Sequence, residues 1–248
     1  MPKTNVEYAT DQITVYRSCP YRCDYCWAWR IPLMRSRILR GKYDPLEEAK
    51  KYLRCRRQRT IVVSFTSDPY PPDELERGLT RSVLKILSAS KHNIMVLTKN
   101  PLIALRDVDI LVKRNFMLGT TVISLFPNKY EKYAPRPELR LDALKIAHEL
   151  GVKTWLSIEP IIPHISFNLC ETIFRTYKFI DYYVLGAINY AKQLNLKINI
   201  KGLGKWYREN IPYIIEILRE MHKPYFIKKE LARYLEGIEY DNSPPPFH

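Results

Sequence analysis

Short β-rich runs alternate with helical patterns along most of the chain, and this alternation most restricts its fold. Each run is only a few residues long, which suits a buried strand of a parallel sheet. Six βα units in sequence predict a right-handed parallel wind, either an open doubly wound sheet or a partial barrel. The predicted strands are Gln12–Tyr16, Thr60–Phe65, Asn93–Thr98, Phe116–Val122, Val152–Ser157 and Asp181–Gly186, with Tyr225–Ile227 as a terminal strand.

Apolar residues at helical spacing lie between the strands and mark helix faces. These faces are Leu79, Val83, Ile86 and Leu87; Leu139, Ala143, Ile146 and Leu150; and Ile211, Ile214, Ile215 and Leu218. Pro137 suits the start of the second helix and Gly151 its end. A chain of 248 residues is long enough for one α/β domain, spanning 1–248. We expect its core over about 12–227, a short C-terminal helix and a disordered tail over about 240–248.

Three cysteines follow the first predicted strand, at Cys19, Cys23 and Cys26. Three thiolates can hold three irons of a [4Fe–4S] cube and leave the fourth iron open to a ligand that is not protein. Soft thiolates also suit zinc, with a histidine as fourth ligand. No histidine lies between Thr4 and Lys91, and this stretch lacks the second ligand pair that is usual in structural zinc sites. The spacing therefore favours an iron–sulfur cluster, with zinc as the alternative.

Two further cysteines, Cys55 and Cys170, have no close cysteine neighbours. An isolated cysteine is usually a small buried apolar side chain, although either residue is a possible hydrogen-atom donor in radical chemistry. Cys55 is the stronger candidate, because the arginines around it favour its thiolate.

The chain is basic, with 40 Lys and Arg against 26 acids and a formal charge of +14. Much of the excess lies between residues 30 and 59, at Arg35, Arg37, Arg40, Lys42, Lys50, Lys51, Arg54, Arg56, Arg57 and Arg59. Such a surface can bind nucleic-acid phosphates, or it is a solvated helical surface. The sequence has no apolar stretch of about 18 residues and no signal peptide, so we expect a soluble cytoplasmic protein without a membrane partner.

Polar side chains follow the predicted strands. Ser67 and Asp68 come after the second strand, Lys99 after the third, Thr121 at the end of the fourth and Glu159 after the fifth. Ligands of parallel α/β sheets gather at the carboxyl ends of the strands. We therefore expect these residues to face one site together with the cysteines.

At these positions the chain resembles the spore photoproduct lyase branch of the radical S-adenosylmethionine (SAM) enzymes. The resemblance covers roughly residues 12 to 190 and rests on the cysteine triad, Thr66-Ser67-Asp68, Thr98-Lys99 and the Pro-rich stretch from Pro135 to Pro163. It implies an α/β fold with a partial (β/α)6, TIM-like barrel of the radical SAM type. It also implies two cofactors, a [4Fe–4S] cluster and SAM.

The resemblance further implies roles for the residues at the strand ends. The amino and carboxylate groups of SAM would chelate the open iron. Asp68 and Ser67 would receive the methionyl ammonium, and Lys99 would pair with the carboxylate. Thr121 would reach the ribose or sulfonium side, and Glu159 would contact ribose or substrate. An electron from a flavodoxin or ferredoxin would then cleave SAM to methionine and a 5′-deoxyadenosyl radical, which abstracts hydrogen from the substrate.

The chain departs from the lyase pattern at two positions. Phe65 stands where those lyases carry the cysteine that returns a hydrogen atom to the repaired thymine, and Trp27 stands where they carry tyrosine. Phenylalanine has no hydrogen that it easily donates as an atom. Photoproduct repair by the same route would therefore need Cys55 or Tyr25 as the donor, and these two are the candidate catalytic residues. Tyr25 and Trp27 are also expected to pack against the cluster or the adenine.

Three functions are compatible with the sequence. The first is a radical SAM enzyme that repairs or modifies DNA or RNA through the basic segment. The second is a radical SAM enzyme of small-molecule or peptide modification. The third is a non-catalytic iron–sulfur or zinc module that binds nucleic acid.

Overall fold

The computed structural model describes residues 6–39, 43–166, 168–196 and 198–247. Within these residues seven parallel strands form one sheet in the order of the chain, β1 to β7. They are β1 Asp11–Ile13, β2 Thr60–Val63, β3 Asn93–Thr98, β4 Phe116–Thr121, β5 Thr154–Ile161, β6 Tyr182–Ala187 and β7 Tyr225–Ile227. The sheet curls into a half-barrel, which confirms the predicted partial TIM-like fold.

Helices connect the strands in the described part of the chain. They are α1 Trp27–Arg30, α2 Pro32–Leu39, α3 Pro45–Leu53, α4 Glu74–Arg77, α5 Leu79–Ser88, α6 Pro101–Ala104, α7 Val108–Leu111, α8 Pro137–Glu149, α9 Leu169–Thr176, α10 Ile200–Glu220 and α11 Lys229–Ala232. Leu105–Asp107 and Lys129–Glu131 form short 3₁₀ helices. Pro137 opens α8 as predicted, and Gly151 follows its end with a φ of 88° that favours glycine.

Helix α8 buries a different face from the one that apolar spacing predicts. Leu139, Ile146 and Leu150 are about half exposed, whereas Leu144 and Arg140 are fully buried. The prediction was wrong because it assumed that polar residues face solvent. Arg140 is polar but buried, where it binds polar groups inside the protein. The predicted faces of α5 and α10 do pack on the sheet, with Val83 and Leu87 buried in α5 and all four predicted residues buried in α10.

Alternate side chains of each strand enter two separate cores. Ile61, Ile94 and Phe116 pack with the helices, while their neighbours along the strands face the other side of the sheet. That second cluster contains no helix residue and consists of Val6, Tyr8, Val62, Met95, Met117, Trp155, Tyr182, Val184 and Phe247. Gly119 of β4 makes room for its largest member, since a Cβ there would lie 2.3 Å from the Trp155 ring. The concave face of the sheet is therefore filled with side chains.

The C-terminal tail closes this inner core instead of fraying, which corrects the expectation of a disordered tail over 240–248. The Asn242 side chain accepts from the backbone N–H of Ile227 at 2.6 Å and donates to its carbonyl at 3.2 Å. The Pro246 carbonyl accepts from Lys153 at 2.9 Å, and Phe247 is 5% exposed. The proline-rich composition of the tail suggested disorder, but the buried ring of Phe247 holds it in place. His248 lies outside the described residues.

No helix among the described residues is both long and apolar enough to cross a membrane.

Candidate active site

A cavity of about 460 Å³ opens at the carboxyl ends of the strands. Its lining includes the residues that the sequence predicted to meet there: Cys19, Cys23, Tyr25, Cys26, Trp27, Phe65, Ser67, Asp68, Lys99, Thr121 and Glu159. The edge rule for parallel sheets thus placed these side chains correctly in one cavity. Their roles toward a cofactor stay predictions.

The three cysteines lie in the loop between β1 and α1. Cys26 precedes the first turn of α1, and its backbone N–H donates to the Cys23 carbonyl at 3.0 Å. All three thiols are free. Burial raises the pKa of Cys19 to about 12 and that of Cys23 to about 11. Buried thiols of this kind gain most from a bound cation, because metal coordination stabilises the thiolate.

A single metal ion and an iron–sulfur cube make different demands on these sulfurs. Among the described residues no three His, Cys, Asp or Glu side chains form a group that could hold one metal ion. A cube takes one thiolate at each of three corners, so its ligands need not converge on one point. Three soft sulfur donors around one cavity therefore fit a [4Fe–4S] cluster.

Beside the triad, four side chains form a buried polar network. The Tyr25 hydroxyl donates to Glu131, and the Lys99 ammonium donates to both Tyr25 and Glu131 at 2.7 Å. The Arg140 guanidinium lies 2.9 Å from the other oxygen of Glu131 and also donates to the Thr121 carbonyl at 2.9 Å. Burial opposes ionisation of Glu131, but the charges of Lys99 and Arg140 outweigh it and lower its pKa to about 2. The network fixes Tyr25 next to the cysteines.

The Asp68 carboxylate ties the ends of two strands together. It accepts from the Thr98 hydroxyl at 2.6 Å and from the backbone N–H groups of Lys99 and Tyr70 at 2.7 and 2.9 Å. Burial raises its pKa, although these hydrogen bonds favour the ionised form. Ser67 donates to the carbonyl of Tyr16. Both predicted SAM contacts thus have local partners that fix their positions at the cavity wall.

Phe65 reaches the cavity through an unusual turn after β2. Ser64 has a φ of 56°, a conformation that few residues other than glycine adopt. Its hydroxyl compensates by accepting a hydrogen bond from the backbone N–H of Val15 at 3.0 Å. Strained residues of this kind cluster at functional sites. The turn directs the Phe65 ring toward the far wall of the cavity, where the ammonium of Lys228 lies 5.4 Å from the ring centre.

The far wall holds a buried ion pair that joins β5 to the residue after β7. The Lys228 ammonium donates to Glu159 at 2.5 Å, and the two side chains are 5% and 17% exposed. Burial lowers the pKa of Lys228, but the charge of Glu159 outweighs this and raises it overall. The lysine therefore stays charged at neutral pH.

Cys55 does not join the site. It lies in the loop before β2, at the amino ends of the strands, and its thiol donates to the Arg57 carbonyl at 3.3 Å. Arg54, Arg56 and Arg59 share that loop, so the basic segment is divided between two ends of the sheet. Among the described basic residues of the segment, Arg37 alone lines the cavity, while Arg40 and Lys42 lie outside the described residues.

Sequence reasoning missed three residues of the site, namely Glu131, Arg140 and Lys228. Glu131 lies in a short 3₁₀ helix, Arg140 on a helix whose buried face was misassigned, and Lys228 after the last strand. The strand-end rule was a signal for Lys228, since Tyr225–Ile227 was predicted as a strand. Nothing in the local sequence distinguishes Glu131 or Arg140 from surface charges.

Comparisons with known proteins agree with this geometry. The family model of the radical SAM superfamily matches residues 13–175. An uncharacterized protein of Methanocaldococcus jannaschii is 30% identical over 245 residues, which cover 95% of this chain and 86% of that protein. A 108-residue stretch is 29% identical to an uncharacterized protein of Acidianus two-tailed virus and covers 42% of this chain and 35% of that protein.

Two solved structures share the fold at low sequence identity. A spore photoproduct lyase variant superposes with a TM-score of 0.69 at 15% identity, covering 92% of this chain and 78% of that one. Streptococcus suis SuiB bound to S-adenosylmethionine gives a TM-score of 0.62 at 15% identity, covering 93% of this chain. The chain spans 53% of SuiB, about half its length.

A curled parallel sheet with three cysteines at its carboxyl edge defines a class of enzymes that hold an iron–sulfur cluster in the mouth of a half-barrel. The chain belongs to the radical SAM superfamily, because the family match covers more than half of its length. It is a radical SAM enzyme whose cofactors are SAM and a [4Fe–4S] cluster.

Proposed function

We propose that this enzyme acts on a nucleic acid, DNA or RNA, by removing a hydrogen atom from a nucleotide held at the cavity mouth. The observation that carries the proposal is a cluster of exposed arginines around Trp29. The Arg22 and Arg35 guanidinium groups each lie 4.8 Å from the centre of the Trp29 ring. Trp29 and Arg22 also line the cavity, so the cluster adjoins the site of chemistry.

The surface around Trp29 at the opening of the cavity has more positive than negative charges. Residues 27–39 contain Arg30, Arg35 and Arg37 but no acid. Arg30 has an exposed partner, Asp24, at 3.7 Å, and such a contact contributes little. Aromatic rings and arginines placed together are the usual surface for single-stranded nucleic acid, because bases stack on the rings while the arginines contact phosphates.

The cofactors supply the chemistry and the chain positions them. When bound, the cluster and SAM yield a 5′-deoxyadenosyl radical that takes a hydrogen atom from the substrate. Cys19, Cys23 and Cys26 would hold the cluster. Around them Ser67, Asp68, Lys99 and Thr121 are proposed to orient SAM, and Glu159 is proposed to contact the substrate. We also propose a flavodoxin or ferredoxin as electron donor and a cytoplasmic location, where free thiols persist.

Tyr25 is the proposed residue for returning a hydrogen atom, if the reaction requires one. Tyr25 lines the cavity. Its hydroxyl would pass its hydrogen atom, proton and electron together, to the substrate radical, and the tyrosyl radical left behind would keep the hydrogen bond from Lys99 beside Glu131. Cys55 is less suitable, since the triad and the loop of Cys55 lie at opposite ends of the strands. Spore photoproduct lyase has been solved with a dinucleoside spore photoproduct bound, and that protein's fold resembles this one. The likeness supports a nucleic-acid substrate without identifying the lesion or base.

Salt dependence of binding tests the proposal. A 15-nucleotide single strand would be titrated against the anaerobically reconstituted enzyme at several salt concentrations. If four arginines each contact a phosphate, a plot of log binding affinity against log salt concentration should have a slope of about −3. Replacing Arg22 and Arg35 by Ala should reduce the slope by about 1.4. Arg175→Ala is the control, because this arginine pairs with Glu171 on the outer helix α9.

Product analysis separates the other two functions. Formation of 5′-deoxyadenosine with dithionite and SAM, but no salt-dependent binding of nucleic acid, would favour a small-molecule or peptide substrate. Binding of nucleic acid without any 5′-deoxyadenosine would instead indicate a non-catalytic binding module.

A further inference from the structure

The Glu159–Lys228 pair is a built feature of the cavity wall. Gly186 on the neighbouring strand makes room for it, since a Cβ there would lie 2.8 Å from the Glu159 side chain. The pairing of β5 with β6 is irregular between Ile158 and Ile161, and such irregularities redirect a side chain. Glu159 lies within this irregular stretch. Two independent features of the sheet therefore direct one carboxylate toward Lys228.

The pair has unused hydrogen-bonding capacity. An ammonium has three N–H donors and a carboxylate has two oxygens. Among the described residues, Lys228 uses one donor and Glu159 one oxygen, both for each other. A buried ion pair is favourable only when further hydrogen bonds satisfy the remaining groups. The unused donor and acceptor line the cavity and therefore suit a ligand.

The neighbours of the pair define what kind of ligand fits. Phe65 provides an apolar surface beside the ammonium, and its ring is suited to stacking on a flat group. Asn189, which donates to Glu230 at 2.8 Å, adds a polar edge to the same wall. A ligand here needs one flat apolar face and one edge that carries a donor beside an acceptor.

We propose that Glu159 and Lys228 bind the Watson–Crick edge of one unpaired nucleobase of the substrate, while Phe65 contacts its face. The inference rests on the proposed function and specifies that the enzyme recognises an unpaired base of the nucleic acid. Each base presents an N–H donor beside a carbonyl or ring-nitrogen acceptor on that edge. In a trans peptide group the N–H and C=O point in opposite directions, so they cannot both reach the pair. A paired base has no free edge, and the enzyme should therefore prefer single strands or extruded bases.

Nucleosides with a blocked edge test this directly, because they carry no phosphate. Uridine and 3-methyluridine would be compared on the reconstituted holoenzyme with SAM present, by equilibrium dialysis. We expect uridine to bind about tenfold more tightly, the effect of losing one hydrogen bond to a charged group. Glu159→Gln replaces the charged acceptor of the N3–H by a neutral one and should reduce this ratio toward one, whereas Lys228→Met should weaken the binding of both nucleosides. The double variant removes both charges together and so avoids an unpaired buried ion if a single variant fails to fold.

The control pair is Lys205 and Glu209, an exposed ion pair on α10 with 3.7 Å between its charged atoms. Lys205→Met and Glu209→Gln should leave the nucleoside ratio unchanged. The affinity for SAM is measured in parallel, and we expect less than about threefold change in the Glu159 and Lys228 variants. A tenfold loss of SAM affinity with an unchanged nucleoside ratio would assign the pair to the cofactor and overturn the inference.

The remaining outcomes separate this inference from the proposed function. Salt-dependent binding of a 15-nucleotide strand without any discrimination between the two nucleosides would overturn base recognition by this pair, while leaving the nucleic-acid substrate intact. Discrimination between the nucleosides without binding of the strand would keep base recognition and refute a polymeric substrate. If neither nucleoside nor strand binds, both proposals are wrong.

Discussion

The buried carboxylate of Glu131 gives the sharpest prediction about stability. Its side chain is 3% exposed and contacts two cations, Lys99 at 14% exposure and Arg140 at 1%. Replacement by Gln leaves both cations facing each other without a counter-ion. Removing one partner of a buried ion pair costs about 3–5 kcal/mol. Independently, a carboxyl whose pKa falls from 4.5 to about 2 on folding contributes about 3 kcal/mol at neutral pH.

Urea and thermal unfolding of the reconstituted protein, followed by circular dichroism in sealed anaerobic cells, would measure this loss. In a chain of this size, about 3–5 kcal/mol corresponds to a fall in Tm of about 6–20 °C. Glu47→Gln is the control, because Glu47 forms an exposed pair with Lys50 at 2.6 Å and should change stability by less than about 1 kcal/mol.

The pH dependence of the difference provides a second check. Glu131 has a lowered pKa in the folded protein, so its contribution is complete above its ordinary value of 4.5 and is lost as the pH falls toward about 2. The stabilities of wild type and Glu131→Gln should therefore converge across this range. A difference below 1 kcal/mol at pH 7, or one that does not shrink in acid, would refute the charge network as described.

Three further predictions concern the cluster, the cavity wall and the tail. Cys26→Ser should lose the visible absorption and most of the iron of the reconstituted protein. Cys170→Ser, on the outer helix α9, should keep both. Equal iron contents in the two variants would show that the triad does not bind the cluster. Gly186→Ala should cost about 1–3 kcal/mol in unfolding free energy, because its Cβ would lie 2.8 Å from Glu159, and an unchanged urea midpoint would show that this wall has room. Phe247→Ala should cost about 3 kcal/mol, as expected for a buried aromatic ring, while no loss would mean that the tail does not close the inner core.

Much of the fold is encoded locally. Strands of three to eight residues, bounded by turns and separated by helical patterns, were mostly predicted close to their observed positions. The exception is β5, which continues to Ile161, so that Glu159 lies within the strand and not after it as predicted. The apolar faces of α5 and α10 were correct for the same reason, since a helix that packs on a sheet repeats its apolar residues every three or four positions. Helix α8 failed because one buried arginine broke the relation between polarity and exposure. The tail failed because a single phenylalanine decided its position.

The sequence by itself determined the cysteine triad, the succession of strands along the chain and the edge at which their polar ends meet, because these follow from spacing along the chain and from the direction of each strand. Spacing left open whether the strands form a doubly wound sheet or a half-barrel. Only the tertiary structure decided which charges pair across the cavity. Glu131 meets Lys99 across 32 positions and Lys228 meets Glu159 across 69. Ion pairs between residues so far apart in sequence depend on how strongly the sheet curls and on which charged side chains become buried. No local pattern records either quantity, so the part of the site that distinguishes this chain within its family emerges only once the half-barrel has formed.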